Sequence, residues 1–292
     1  MMLDKRYRKR CFLLIPAVLL LFFSGCLSDG ENVSPKALET IIDDRYDESG
    51  RLRPIIIDDV IDFSDLRYAQ LWNTSPVDGK PRFFATVPRM ADREAEYDRC
   101  LDMAAVQVSR FVSTRVVAKF ATLTQGRDFG HLEDVDVSFD VDAAASFRDS
   151  LDPVAYVRDR EASYVVFEFS GFSLKGVSVK SGLHNGLPVW VTAVPEIPGY
   201  ITGLGAVGRY RYVAESIYQA DRMAMAGIAR QMAIDVKEKQ ENYEDSKGST
   251  AHRSVNLEVS DIELKGAYII ARWRSLDENN YYSLAIYPVS HE

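Results

Sequence analysis

Four aspartates have the residue type and spacing that could bind a metal ion. Asp134, Asp136, Asp140 and Asp142 stand at even spacings, so an extended strand would present all four carboxylates on one face. Calcium binds such oxygen ligands, but this stretch has neither the glycine turn nor the closing glutamate of an EF-hand loop. We therefore interpret it as an alternating strand with a solvated acidic face, and we predict no metal site.

A glycine cluster has the spacing of a dinucleotide-binding turn. Gly203, Gly205 and Gly208 spell Gly-x-Gly-x-x-Gly. That motif needs a helix beginning directly at the glycines, whereas "RYRYV" separates this cluster from the next helical pattern. We predict that these glycines allow close backbone packing of an edge strand, and we expect no cofactor.

The other reactive side chains form no catalytic pattern. The chain has neither a Gly-x-Ser-x-Gly elbow nor a phosphate-binding loop. Cys100 stands in a helical pattern without a histidine near it, so we predict a core residue. No two histidines have the i, i+4 spacing of a zinc-protease helix; they are His131, His184, His252 and His291. We predict no catalytic residue and no enzyme, with a hydrolase site built from distant residues as a minor alternative.

The segment around Cys26 has the strongest chemical signal. A basic stretch, "MMLDKRYRKR", precedes an apolar run from Cys11 to Phe23, which is shorter than the roughly 20 residues that span a membrane. The run ends in Ser24-Gly25-Cys26. This order of basic, apolar and small residues is typical of an export signal.

The end of that segment resembles the lipobox of bacterial lipoproteins, in which the chain is cut before a cysteine whose thiol is acylated. The resemblance implies a signal peptide over 1–25, cleavage between Gly25 and Cys26, and lipidation of Cys26, as by palmitate. An uncleaved signal anchor is the alternative. Leu27 and Ser28 lack the aspartate that retains many lipoproteins in the inner membrane. We therefore predict a lipid-anchored protein of the cell envelope, at the outer membrane and facing the periplasm.

Composition limits the partners and the stabilising chemistry. The net charge is −8, and removal of residues 1–25, which are mostly basic where charged, leaves a still more acidic chain. An acidic exported protein is a poor candidate for binding nucleic acid. Once Cys11 is removed and Cys26 is acylated, Cys100 has no partner for a disulfide, so stability must come from burial. A hydrophobic content of 47% is ample for a core.

Two similar segments indicate an internal duplication. Aligning Ala104 with Ala224 also aligns apolar stripes at helical period, which are Leu101, Ala104, Ala105, Val108 and Val112 in the first and Ala224, Met225, Ile228 and Met232 in the second. Each stripe follows a short strand. Alternating stretches follow each helix, over 114–123 and 234–243, and predict further strands. Each half then ends in a hairpin, with turns at Arg160–Ser163 and Leu276–Asn280.

These patterns predict an α+β fold of two related modules, each with a helix packed on an antiparallel sheet in the order strand, helix, strand, variable segment, strand, strand. The predicted boundaries are an acidic tether over 26–54, a first module over 55–175, a linking segment over 176–197 and a second module over 198–292. The tether is followed by a short strand at Ile55–Ile57, and the linking segment is predicted to form a hairpin. Trp190, Trp273, Tyr281 and Tyr282 are predicted core or sheet-face aromatics.

The second module resembles the family typified by the small outer-membrane lipoprotein LPP-twenty, and it is similar to the N-terminal domain of flagellar assembly protein T. The matching stretches are "GLGAVGR", the helix "AESIYQADRMAMAGIARQMAIDV", "LKGAYIIARW" and "YYSLAIYP", over 198–289. The first module is a looser copy. The resemblance implies a compact α/β module with a role in the cell envelope and without established catalytic chemistry.

Two functions are therefore expected from the sequence. The leading hypothesis is a non-enzymatic lipoprotein that contacts envelope or flagellar proteins, or copies of itself, through an open strand edge. The alternative is a periplasm-facing lipoprotein that binds a small ligand or peptide in a pocket between the two modules. An apolar cleft would favour the second hypothesis, and a flat exposed edge would favour the first.

Overall fold

The structure is a computed structural model that describes residues 45–47, 51–125, 128–174, 177–179, 182–244 and 256–289. Its strands are β1 (Ile55–Ile56), β2 (Arg82–Pro88), β3 (Thr114–Gln125), β4 (Asp128–Phe139), β5 (Leu151–Arg158), β6 (Ala162–Phe169), β7 (Leu183–His184), β8 (Leu187–Pro188), β9 (Tyr200–Gly208), β10 (Asn256–Leu264), β11 (Tyr268–Ser275) and β12 (Asn280–Pro288). Its α-helices are α1 (Ala69–Trp72), α2 (Ala95–Val112), α3 (Val141–Ala144), α4 (Val189–Thr192) and α5 (Val213–Glu244), and 3-10 helices cover Leu66–Tyr68 and Ala145–Ser150.

The two long helices pack on largely antiparallel sheets, which confirms the predicted α+β class. Helix α2 lies on a four-stranded sheet of order β1-β5-β6-β2, and α5 lies on a three-stranded sheet of order β11-β12-β9. Both predicted stripes are buried at their centres, as at Ala104, Val108, Ala224 and Ile228, whereas Val112 at the end of α2 is exposed. One pairing was not expected, because β1 runs parallel to β5.

The two helix-bearing sheets share a strand order and an irregularity. Each half of the sequence ends in a hairpin, and the second strand of that hairpin pairs with the strand that precedes the long helix. These pairs are β6 with β2 in the first half and β12 with β9 in the second half. The first strand of each hairpin carries one register shift, between Pro153 and Ala155 in β5 and between Ile269 and Ala271 in β11. A duplication would produce such shared features, and the duplication itself stays a prediction.

The two halves of the sequence also share a sheet. Strand β3 from the first half lies between β10 from the second half and β4, with Thr114 opposite both Leu264 and Phe139. Residues 50–292 form one compact unit, and the predicted boundaries between the modules fall inside it. Residues 1–49 form a separate unit, of which only 45–47 are described. The unit includes the end of the predicted tether, since Leu52 is buried in the main core.

One predicted strand is wrong. The alternating stretch over 234–243 belongs to α5, which continues to Glu244. Its glutamates, lysines and glutamine are strong helix formers, and their propensity outweighs a short alternation of apolar and polar residues. The strand predicted over 114–123 is confirmed as β3, and the predicted linking hairpin is confirmed as β7 and β8.

Tyrosine hydroxyls from the second half cover the outer edge of β2. The Tyr218 hydroxyl accepts a hydrogen bond from Thr86 N (3.0 Å) and donates one to Thr86 O (2.9 Å), while the Tyr268 hydroxyl accepts from Arg82 N (2.8 Å). Burial raises the pKa of both tyrosines, so both hydroxyls stay protonated. Arg82 and Thr86 on the outer edge of β2 are thus hydrogen-bonded within the chain, which disfavours pairing with another strand there.

Candidate functional site

The predicted lipidation site lies outside the described residues, as do the signal peptide over 1–25 and the cleavage pair Gly25 and Cys26. Within the described part of the chain, no helix combines the length and the apolar character needed to cross a membrane.

The four aspartates do not share one strand face, and that prediction is wrong. Asp134 and Asp136 lie in β4, but Asp140 is the N-cap of α3, where its carboxylate accepts a hydrogen bond from Ala143 N at 3.0 Å, and Asp142 lies inside that helix. Aspartate is favoured at an N-cap because it satisfies an otherwise unpaired backbone N–H. In the described ranges, no group of three histidine, cysteine, aspartate or glutamate side chains could hold a metal ion.

The remaining reactive residues are separated or buried. His131 lies in β4 and His184 in β7, two strands of different sheets, while His252 and His291 are outside the described residues. Cys100 is fully buried, which confirms its prediction as a core residue. Burial also raises the pKa of its thiol, so it is a poor nucleophile.

Two glycines of the cluster, Gly203 and Gly205, pack closely against a helix, which agrees with the predicted close backbone packing of an edge strand, whereas a Cβ added to Gly208 would meet nothing within 4 Å. All three glycines lie in β9, an edge strand, and α5 begins only at Val213. A Cβ added to Gly203 would lie 2.2 Å from Ala224 O, and one added to Gly205 would lie 2.0 Å from Ala220 O. The backbones of β9 and α5 therefore approach more closely than any side chain on these glycines would permit.

A cavity of about 290 Å³ among the described residues has room for an organic ligand. It lies between the segment over 63–73, the linking segment and strand β11. All three tryptophans of the chain line it, namely Trp72, Trp190 and Trp273. One comes from each half of the sequence and one from the linking segment, so the cavity is completed only when these three parts fold together.

Stacked aromatic rings build one wall of this tryptophan cavity. Phe63 lies parallel to Trp72 with ring centroids 4.4 Å apart, and it meets the edge of Trp273 at 6.4 Å. Helix α1 ends at Trp72, and the next residue, Asn73, forms a bridge to Ala271 of β11. The bridge fixes the position of the end of α1 against β11 and so brings Trp72 and Trp273 to the same cavity.

A tight hairpin supplies a second wall of the cavity. Asn185 and Gly186 both have positive φ, at 52° and 79°, as the two central residues of a type I′ turn require. This turn joins β7 to β8, and α4 begins directly after Pro188. A hydrogen bond of 2.9 Å from Val189 N to Gly182 O closes the segment and holds Trp190 at the cavity.

The cavity walls are mostly apolar, and the rim is open to solvent. The lining residues beside the aromatic ones are Ser64, Ala69, Asn73, Val179, Gly182, Leu183, Pro188, Ala271 and Arg272. Ser64 and Leu183 are exposed, whereas Phe63 and the three tryptophans are buried. The Trp273 indole N–H is buried and has no hydrogen-bond acceptor among the described residues.

A buried network engages two of the three guanidinium nitrogens of Arg272, and the third, Nη1, is buried without an acceptor among the described residues. Its Nη2 and Nε lie 2.9 Å and 3.1 Å from the Asp221 carboxylate, which also accepts from Ser283 Oγ at 2.6 Å. Gln107 of α2 accepts a further hydrogen bond from Arg272 at 3.2 Å. Along β11, Arg272 alternates with the cavity residues Ala271 and Trp273, so its side chain leaves the opposite face of the strand.

A second cavity, of about 30 Å³, lies beside this network and is lined by Asp221, Gln107 and Arg110 among others. It has the size of one water molecule, so an organic ligand would not fit there. The tryptophan cavity has the volume for a ligand and is the candidate functional site.

Comparison of the chain with protein-family models, curated proteins and solved structures gives no match. The resemblance to LPP-twenty and to flagellar assembly protein T accordingly stays a prediction.

The sequence predicted a pocket between the halves as an alternative, but it did not identify the lining residues. The sequence predicts Trp190 and Trp273 as core or sheet-face aromatics; both are buried, as predicted, but both also line a cavity. The local sequence around Trp72 and Phe63 predicts no role for either residue. The one signal available was that the three tryptophans divide evenly among the two halves and the linking segment.

Proposed function

We propose that the protein is a lipid-anchored binding protein of the cell envelope that holds a small apolar ligand in the tryptophan cavity. One observation supports this most directly: all three tryptophans meet at a cavity of about 290 Å³ whose rim is open to solvent. Ligand sites are typically concave and apolar with few polar groups, and this cavity fits that description. Among the residues described, its lining contains no carboxylate, histidine or thiol, which favours binding over catalysis.

Anchoring through an acylated Cys26 is part of this proposal, and the membrane is its first partner. Several acyl chains would hold the domain at the bilayer, since each buried methylene contributes about 0.8 kcal/mol. We propose that the protein is anchored in the outer membrane and faces the periplasm. Its net charge of −8 disfavours binding to nucleic acid, which is also negatively charged. Mass spectrometry of the N-terminal peptide should find an acylated Cys26 as the first residue. An intact, unacylated N-terminus in the purified protein would refute the anchor.

Ligand binding can be tested by closing the cavity mouth. Ser64→Trp places a large side chain at the exposed rim, and Ser170→Trp is a matched change at an exposed site outside the lining. Equilibrium dialysis of the full chain in lipid nanodiscs would measure binding of α-tetralone, a neutral bicyclic ketone. Wild type and Ser170→Trp should bind it saturably, and Ser64→Trp should lose at least about tenfold in affinity through steric exclusion. Equal binding by all three proteins, or by none, would refute the function.

Strand β1 supports a second candidate function, which is self-association through a sheet edge. It lies at the edge of its sheet, and Ile55 and Ile56 are 53% and 62% exposed. Exposed apolar side chains on an edge strand favour pairing with another chain. Sedimentation of wild type and Ile56→Glu would test this: the wild type should dimerise at micromolar concentration and the variant should not. A monomeric wild type would leave ligand binding as the only proposed function.

A further inference from the structure

The segment over 182–198, which we call the lid, forms one wall of the tryptophan cavity and is folded mainly on itself. Strand β7 pairs with β8, and Val189 N donates a hydrogen bond to Gly182 O at 2.9 Å. Among the described residues, the hydrogen bonds between the lid and the rest of the chain are limited to one, from Tyr200 N to Ile197 O in the adjoining turn. Most residues of the lid are exposed, so few contacts attach it to the domain.

The other two walls of the cavity are held more firmly. The segment over 63–73 is tied down on both sides, because Ile61 N donates to the Asp159 carboxylate at 3.0 Å and Thr74 Oγ1 donates to Ile269 O at 2.7 Å. Strand β11 is paired with β12 along its length. Segments with few buried contacts and few hydrogen bonds to the rest of a protein open at the lowest cost in free energy. The lid is therefore the wall that can move.

Trp190 is the largest side chain that attaches the lid to the domain. It is one of two buried residues of the lid, the other being Pro188, and both line the cavity. Trp72 and Trp273, on the two fixed walls, are buried as well, so a ligand that touches all three tryptophans needs the walls to part. Once inside, that ligand would contact the lid and the fixed walls together and would hold them closed.

We propose that the lid swings away from Trp72 and Trp273 to admit the ligand and closes on it through Trp190. This inference rests on the proposed function and deepens it by naming how the site opens. Gly199, directly after the lid, has the properties of a hinge: its φ is 80°, and an added Cβ would meet nothing within 4 Å. Its carbonyl accepts a hydrogen bond from Val289 N at 2.9 Å, which fixes the hinge to the end of β12.

Thiol labelling detects such openings even when they are rare. Ala271→Cys places a thiol on a fixed wall of the cavity, at a position that is 4% exposed, and the fully buried native Cys100 is an internal reference outside the lining. Mass spectrometry of the full chain in lipid nanodiscs would follow the reaction of both thiols with a maleimide. The thiol introduced by Ala271→Cys should react at least about tenfold faster than Cys100, because opening of the lid uncovers it, whereas Cys100 needs a larger part of the domain to unfold.

A matched pair of substitutions assigns the opening to the lid. Val189 and Val191 lie in the same one-turn helix, but Val191 is half-buried against the main core and Val189 is 44% exposed. In the Ala271→Cys background, Val191→Ala should speed labelling of the introduced thiol about three- to tenfold, and Val189→Ala should leave the rate within about twofold. Val165→Ala, at a fully buried position of β6, should speed labelling of Cys100 but not of the introduced thiol.

α-Tetralone links the lid to ligand binding. At ten times the dissociation constant measured for the Ala271→Cys variant, it should slow labelling of the introduced thiol about tenfold, because it binds the closed lid. If that thiol reacts no faster than Cys100, or if Val189→Ala and Val191→Ala give equal rates, the lid is wrong while ligand binding stands. Binding without slower labelling would also overturn closure on the ligand. If dialysis finds no binding, the proposed function fails, and the labelling rates without ligand still decide whether the lid opens.

Discussion

Substituting Gly205 by alanine tests how closely β9 and α5 approach. The added Cβ would lie 2.0 Å from Ala220 O and 2.4 Å from Ala224 N, and both atoms belong to the backbone of α5. Real Cβ contacts essentially never fall below 3.0 Å, so the helix and strand must separate by about 1 Å. Gly208 is the matched control, because it lies in the same strand with nothing within 4 Å of its added Cβ and without a positive φ.

The cost follows from the contacts that this separation breaks. Ala220 and Ala224 are fully buried, and a gap of about 0.5–1 Å forfeits a quarter to a half of the dispersion attraction along an interface. Together with ordinary overpacking strain, we expect Gly205→Ala to lower the free energy of unfolding by about 2–4 kcal/mol. For a domain of this size, the melting temperature should fall by about 5–15 °C. Gly208→Ala should change stability by less than about 1 kcal/mol, in the stabilising direction, because it restricts only the unfolded chain.

Denaturant unfolding of the full chain, followed by tryptophan fluorescence, would measure both variants. A shift in midpoint at constant slope would show that stability alone has changed. If Gly205→Ala is as stable as Gly208→Ala, the close packing is wrong, and with it the reason for glycines at these positions.

Two further substitutions test the contacts between the halves of the chain. Tyr218→Phe removes the hydroxyl that bonds the N–H and C=O of Thr86, so the free energy of unfolding should fall by about 2–4 kcal/mol. A calorimetric scan would measure this loss, and a loss below about 0.5 kcal/mol would refute the role of Tyr218 at the edge of β2. Glu161 accepts hydrogen bonds from Arg209 (2.9 Å) and Arg274 (3.0 Å). Burial alone would raise the pKa of Glu161, but the two guanidiniums outweigh the effect of burial and lower the pKa below the ordinary 4.5. A lowered pKa stabilises the fold at pH above the unfolded value, so Glu161→Gln should cost about 1–3 kcal/mol near pH 7, with the difference from wild type shrinking as pH falls below about 4.5. Unfolding curves between pH 7 and pH 3 would measure this, and a difference that does not depend on pH would contradict it.

Local periodicity predicted those elements whose pattern is set by near neighbours. The hairpins β5–β6 and β11–β12, the helical stripe around Ala104 and the strand β3 are all visible in the sequence. Their pairing across the chain is not visible. An alternating stretch can pair on either edge, so nothing local places β10 beside β3, more than 130 residues away. The error over 234–243 has the same origin, because alternation over a few charged residues does not exclude a helix.

The candidate site was harder to predict than the fold, because its residues meet only in the folded chain. A buried tryptophan in a core and a buried tryptophan beside a cavity have the same local pattern. What distinguishes them is the volume left unfilled between Trp72, Trp190 and Trp273, which depends on how three separated segments pack. The prediction that four aspartates share one strand face was wrong for a related reason. Asp140 caps a helix, and the alternation of aspartates at every second residue does not show where the strand ends.

The position of the cavity follows from how one segment covers two sheet edges. After Leu52, the chain first pairs β1 with β5, at the edge of the first sheet, and then reaches β11, at the edge of the second, where Asn73 bridges Ala271. The first edge is extended by a strand. At the second edge, the backbone contacts are limited to Asn73 and Thr74 among the described residues, and the wall is completed by tryptophan side chains. The space left between these side chains and the edge of β11 is the tryptophan cavity.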